Sequence, residues 1–143
     1  MSEGMKDLIG KTVKAIRIND VKDLIELTCD DGILYLSAVG DCCSTSWFEH
    51  MTGVEALIGH TIKNVLVREM PPPKTDDEDD EFDVTDFYGW TLETEAGRCD
   101  IEMRNQSNGY YGGTCEVSSK ALDQYGRERE DKDSTTKAVT DDF

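Results

Sequence analysis

An internal echo constrains this fold more than any other feature of the sequence. Residues 8–18, LIGKTVKAIRI, align with residues 57–67, LIGHTIKNVLV, at a constant offset of 49. Leu, Ile, Gly, Thr and Lys recur in place, and the remaining apolar positions pair with apolar ones. A second echo sets 24–37, LIELTCDDGILYLS, against 89–102, GWTLETEAGRCDIE, at an offset of 65. The offsets differ by 16, about the length of the proline-rich and acidic stretch between the two second-half segments. The pattern predicts two similar β-units sharing one core, with that stretch inserted into the second. Two copies are too few for a solenoid, which needs at least about three.

Each unit reads as strands. Val13 to Ile18 is a β-branched run with Lys14 and Arg17 interspersed, and Ile62 to Val67 is its counterpart. Leu24–Thr28 and Ile33–Leu36 flank Cys29-Asp30-Asp31-Gly32, a hairpin signal because glycine accepts positive φ. Tyr88–Glu95 and Arg98–Met103 flank Ala96-Gly97 in the same way, and Thr114–Val117 reads as one more strand. Ser46-Trp47-Phe48-Glu49 has the form of a capping box, so a short helix is expected from Trp47, interrupted at Gly53, with a further turn over Val54–Leu57. The expected class is α+β: a mainly antiparallel β-sheet from two similar β-units, one short helix, a long acidic loop and a flexible C-terminal tail.

Charge divides the chain further. Of the net −16, −8 sits in Asp76–Asp86, −3 in residues 121–143 and −5 on the rest. Dense like charges repel one another, and Pro71-Pro72-Pro73 cannot enter a central strand. Residues 71–86 are therefore expected to protrude as a loop from a single domain over 1–120. The polar tail, 121–143, is expected to be partly disordered, with a short helix over Lys120–Arg129. An acidic chain is a poor phosphate binder, so direct nucleic-acid binding is not expected. No run reaches the ~18 apolar residues of a membrane span, and Met1–Gly10 lacks the pattern of a signal peptide.

Two loops carry residues that could hold a ligand. One spans Gly40 to His50; the other spans Arg104 to Gly113. By the echo they follow equivalent strands and lie at corresponding positions. Asp41 and Ser44 from the first, and Arg104, Asn105, Asn108, Tyr110 and Tyr111 from the second, could bind a nucleotide. Arg104 would take a carboxylate or phosphate, and the tyrosines would stack on a base. Turn chemistry accounts for the same Asp, Ser and Asn residues without a ligand.

The five cysteines are Cys29, Cys42, Cys43, Cys99 and Cys115, an odd count that suits reduced thiols in a cytosol. Cys42-Cys43 lacks zinc-knuckle spacing, so neither a metal nor a cofactor is expected, and a site from those thiols with His50 or His60 is the minority reading. Cys43 with His50 and Asp41 could be drawn as a thiol enzyme, but no P-loop, dinucleotide fingerprint or HExxH accompanies it. The chain is therefore read as a non-enzyme.

The motifs GDCCSTSWFEH and RNQSNGYYGG, with their LIG-x-T-x-K lead-ins, resemble a family of small uncharacterised phage and prophage proteins over about Leu8 to Val117. The resemblance implies a bacterial cytoplasm and a phage accessory role. By analogy with other small phage proteins, the expected function is non-catalytic inhibition of a host bacterial factor in counter-defence. The partner would be a nuclease or another nucleic-acid-binding protein. The expected contact surface is Asp76, Asp77, Glu78, Asp79, Asp80, Glu81, Asp83 and Asp86. An extended chain advances ~3.3–3.6 Å per residue, near the ~3.4 Å per-strand phosphate repeat that a DNA mimic would copy. Sequestering a nucleotide immune signal and serving as a virion component are the alternatives. Exposed sheet edges also allow a homodimer.

Overall fold

The computed structural model describes residues 2–40, 44–68, 84–107 and 112–143, with only the backbone of 2, 3, 84 and 132. Both expected hairpins form. β2 (Leu24–Cys29) turns at Asp30-Asp31 into β3 (Gly32–Gly40), and β6 (Val84–Thr94) turns at Glu95-Ala96 into β7 (Gly97–Ser107). The turns match at the second echo's offset: Cys29 pairs with Gly32 and Thr94 with Gly97, the glycines at φ 139 and φ 144.

The other strands complete two antiparallel sheets. β1 (Val13–Ile18), β4 (Thr45–Thr52), β5 (Asn64–Arg68), β8 (Gly113–Ser118) and β9 (Lys137–Ala138) join them in the orders β8-β3-β2-β1-β9 and β4-β7-β6-β5. Each unit contributes three strands to its own sheet and sends its fourth to the other. β4 leaves the first unit to pair with β7, and β8 leaves the second to pair with β3. The exchange fuses the units into one sandwich around one core, including Ile16, Leu27, Leu36, Phe48, Trp90, Leu92, Ile101 and Met103. Burial of each large apolar side chain contributes roughly 1.5–3 kcal/mol.

The first echo marks a pseudo-twofold axis. Gly10 N–H donates to Ile62 C=O at 2.7 Å, and Gly59 N–H donates to Val13 C=O at 2.6 Å. Ile62 N–H donates to Lys11 C=O at 2.9 Å, and Val13 N–H to His60 C=O at 3.2 Å. Within each pair, one bond becomes the other when 49 is added to or taken from its residue numbers. Gly10 and Gly59 share a left-handed backbone, φ 91 and φ 85, which explains why glycine recurs there.

Three expectations change. The predicted helix from Trp47 is strand β4, whose burial alternates and whose Ser46 is fully buried. Ser46 Oγ donates to Val39 C=O at 3.0 Å across the strand exchange, so it caps nothing. Pairing with β7 overrides a local capping signal. The helix, α1 (Val54–Leu57), starts only after Gly53 turns left-handed at φ 90.

Residues 84–86, expected in the acidic loop, belong to β6, which begins at Val84 and takes in Asp86. The rest of that run lies outside the described residues.

The C-terminal segment, expected to be loose with a helix over Lys120–Arg129, is instead laid on the body. Leu122 bridges Glu128 in place of the helix, β9 pairs with β1, and Val139 is buried. Asp142 Oδ1 accepts from Gly53 N–H at 2.8 Å and Val54 N–H at 3.0 Å, capping α1. Phe143 exchanges two backbone bonds with Met51.

Candidate functional site

The two candidate loops do lie together, because the strand exchange brings them there. Gly40 pairs with Gly113, and Ser46 with Asn105. Asn105 is fully buried, and its Nδ2 donates to Ser46 Oγ at 2.8 Å and Ser44 Oγ at 3.1 Å. Its Oδ1 meets no hydrogen-bond partner among the described residues. A Cβ on Gly113 would overlap Ser46 Oγ, so this crossing closes only around glycine.

From the crossing a polar network runs into the C-terminal segment. Ser46 N–H donates to Gln124 Oε1 at 2.8 Å, and Gln124 Nε2 donates to Ser46 C=O at 2.7 Å and Asp23 Oδ2 at 3.1 Å. Asp23 Oδ1 accepts from Asn19 Nδ2 at 2.6 Å and Arg129 Nη1 at 3.1 Å. Burial pushes the Asp23 carboxyl up, but donors from Asn19, Arg129 and Gln124 outweigh it and hold it below the usual carboxylate range.

Arg104 does not join this network. It neighbours Asn105 on β7, so the two side chains leave opposite faces of the sheet. On the outer face Arg104 Nε donates to Glu102 Oε2 at 2.7 Å and Nη1 to Glu49 Oε1 at 3.1 Å. Its guanidinium lies 4.7 Å from the Phe87 ring centroid. Ser44 and Asn105 therefore meet, while Arg104 is engaged elsewhere. Asp41, Asn108, Tyr110 and Tyr111 lie outside the described residues. Sequence reading missed Tyr88, whose hydroxyl accepts from Gly113 N–H at 3.1 Å. It also missed Gln124 and Arg129, which looked like tail residues.

Of the acidic surface, Asp86 is described: it is half-buried on β6, paired in register with Asn105. Asp76, Asp77, Glu78, Asp79, Asp80, Glu81 and Asp83 lie outside the described residues. Among the described residues four of the fifteen Lys and Arg are held in ion pairs. Lys11 pairs with Asp31, Arg98 with Glu93, and Arg129 with Asp23 and Asp131. Lys11 and Asp31 shift each other, the amine up and the carboxyl down, chiefly through their hydrogen bond. His60, the echo of Lys11, pairs with Glu95 at 2.9 Å and holds that carboxyl down.

The described thiols are poorly placed for chemistry. Cys29, Cys99 and Cys115 are buried. Burial, reinforced by Asp100, pushes Cys99 up to about 12, and burial pushes Cys115 up to about 12. Cys43 lies outside the described residues, and His50 is exposed on β4 opposite Glu102. Among the described residues no group of three or more His, Cys, Asp or Glu could hold a metal ion. None of their helices is long and apolar enough to cross a membrane. A cavity of about 240 Å³ lies beneath the C-terminal segment, lined by Ile18, Lys22 and residues 137–143.

Residues 6–117 match the profile of a family described as a domain of unknown function, DUF7448. A protein of Acanthamoeba polyphaga mimivirus, Uncharacterized protein L278, is 30% identical over 112 residues, covering 73% of this chain and 85% of the viral one. No solved structure matches. The chain belongs to the DUF7448 family, whose profile ends before the C-terminal segment that straps the sandwich.

Proposed function

We propose that this DUF7448 protein is a virus-encoded, non-catalytic binding protein that inhibits a host factor by presenting acidic surface. The mimivirus relative supports the viral setting. The bacterial cytoplasm and the counter-defence role rest on the resemblance of this chain's own two motifs to phage proteins.

The observation that carries the reading is where the charge is spent. Lys11, Arg98, Arg104 and Arg129 are held by carboxylates of the same chain. The net charge of −16, half of it carried by Asp76–Asp86, is what a basic partner would meet. A basic, nucleic-acid-binding groove is the complementary surface, and the field of the acidic side speeds encounter.

The nucleotide-sequestering alternative has less support. Arg104, its anion-binding residue, is occupied by Glu49, Glu102 and Phe87 and faces away from Asn105. The virion alternative is decided by proteomics of purified particles.

The test is retention from bacterial lysate at low and high salt, beside a variant with the acidic residues of 76–83 changed to Asn and Gln. A nucleic-acid-binding protein released by salt, displaced by added DNA and lost with the variant is the expected result. Retention indifferent to both salt and the variant overturns the acidic-surface reading. A nucleotide released on heat-denaturing the purified protein favours sequestration instead.

A further inference from the structure

The outer strands of the two sheets are β8 and β9, and β4 and β5. β9 is a two-residue cover for β1, Phe143 bonds to Met51 on β4, and the 3₁₀ segment Ser2–Leu8 packs beside β8. β5 is the outer strand that remains. That 3₁₀ segment also packs near β5, but among the described residues no strand pairs with its outer edge. Leu66 and Val67 there are 43% and 58% exposed.

We propose that the open edge of β5 docks an extended segment of a partner protein, one with small or apolar residues followed by an acidic end. The proposal stands independently of the acidic-surface reading.

Internal symmetry says what fits. Ile16-Arg17-Ile18 on β1 is the equivalent of Val65-Leu66-Val67 on β5. On β1, Arg17 faces Ala138, Ile18 faces Lys137, and Val139 N–H donates to Ile16 C=O at 2.9 Å. Carried across by 49 residues, the same register sets a similar strand against Leu66 and Val67 with an N–H on Val65 C=O. Main-chain bonds of this kind give affinity, and the flanking side chains give choice of partner.

The flanks favour acid. A partner strand that ran straight on in this register would bring its residue three places further to Lys63, the echo of Lys14, whereas β9's own segment turns away there to α1 and β4. Lys63 and Arg68 are both exposed and bracket the apolar centre in a chain of net −16. Val65 N–H meanwhile donates to Asn64 Oδ1 at 3.0 Å, a bond that an arriving carbonyl replaces. A second copy of the chain is the other occupant, and the experiment distinguishes it.

The experiment titrates a synthetic peptide of residues 135–143, TTKAVTDDF, into the intact, isotope-labelled protein and follows backbone amide shifts. Perturbations should centre on 64–68. Val67→Pro, tolerated where an edge N–H faces solvent, and Lys63→Glu should each weaken binding roughly tenfold while the melting profile stays unchanged. A peptide with both aspartates changed to lysine should recover binding to Lys63→Glu, which a merely damaged protein would not do. Perturbations confined to 14–18, or none at saturating peptide, overturn the proposal. So does a concentration-dependent dimer abolished by Val67→Pro, which would assign the edge to a second copy.

Discussion

Thr12 Oγ1 and Thr61 Oγ1 lie 2.7 Å apart, hydrogen-bonded across 49 residues of chain at the pseudo-twofold axis that relates the two halves. The same residues form an antiparallel bridge flanked by the symmetric backbone bonds. A duplicated threonine that meets its own copy has a reason to be retained at both positions: each hydroxyl is the other's partner in a part-buried site. Thr12→Val or Thr61→Val alone leaves one hydroxyl unpaired and should cost about 1–2 kcal/mol. The double variant should cost clearly less than the sum, a coupling measured by urea denaturation of the four-member cycle. Strict additivity would mean that the hydroxyls do not act as a pair.

Asp23 and Arg129 form a second long-range relationship, part-buried and 106 residues apart. Without Arg129, Asp23 keeps its donors from Asn19 and Gln124, so Arg129→Met should destabilise the fold by about 1.5–3 kcal/mol. The pH dependence follows from the lowered Asp23 pKa. A depressed carboxyl contributes stability that is full above its unfolded value, about 3.9, and is lost as pH falls through the folded value. Asp23→Asn should flatten the acid limb of stability against pH, as read by urea midpoints. An unchanged acid limb would remove Asp23 from the account.

At the other end of the segment, Asp142 caps α1 by accepting from Gly53 and Val54. The four-residue helix has no side-chain cap of its own beside Gly53. Asp142→Ala should cost about 1 kcal/mol. It should also speed hydrogen exchange at the Gly53 and Val54 amides before other sites. Exchange that rises uniformly would point to a general rather than a capping effect.

These C-terminal contacts mark the boundary of what the sequence revealed. The hairpins were legible because Asp-Gly and Ala-Gly sit between apolar runs, where glycine's backbone freedom decides the turn locally. The two-unit plan was legible from Gly10 and Gly59, which share one unusual conformation. The exchange of β4 and β8 was not, since nothing within a strand records which sheet it joins. Ser46-x-x-Glu49 read as a helix start because the cap pattern is local, whereas Ser46 is held by Val39 and Gln124 from distant parts of the chain. Polar composition suggested a loose tail, yet Gln124, Arg129 and Thr135 find hydrogen-bonding partners on the body, and polarity alone does not separate solvated from networked residues. Arg104 and Asn105 looked like one ligand cluster as adjacent letters, but the strand period sends them to opposite faces.

The buried thiols give the last prediction. Cys99 and Cys115 sit at about 12, raised chiefly by burial, against about 8.5 for a free thiol. Near neutral pH the folded protein therefore exposes almost no thiolate at either position, while the unfolded chain exposes a few per cent. Alkylation of the native protein near pH 7, mapped by mass spectrometry, should spare the Cys99 and Cys115 peptides and modify them once urea is added. The sign of the linkage is set by the raised pKa. A thiol kept neutral by folding contributes stability that is full below its unfolded value and declines as pH rises toward the folded one. Each thiol should thus forfeit about 2 kcal/mol by about pH 10. Cys99→Ala and Cys115→Ala, whatever they cost at neutral pH, should each flatten this alkaline slope. Rapid native labelling at Cys99 would show that the site opens to solvent far more often than its packing allows.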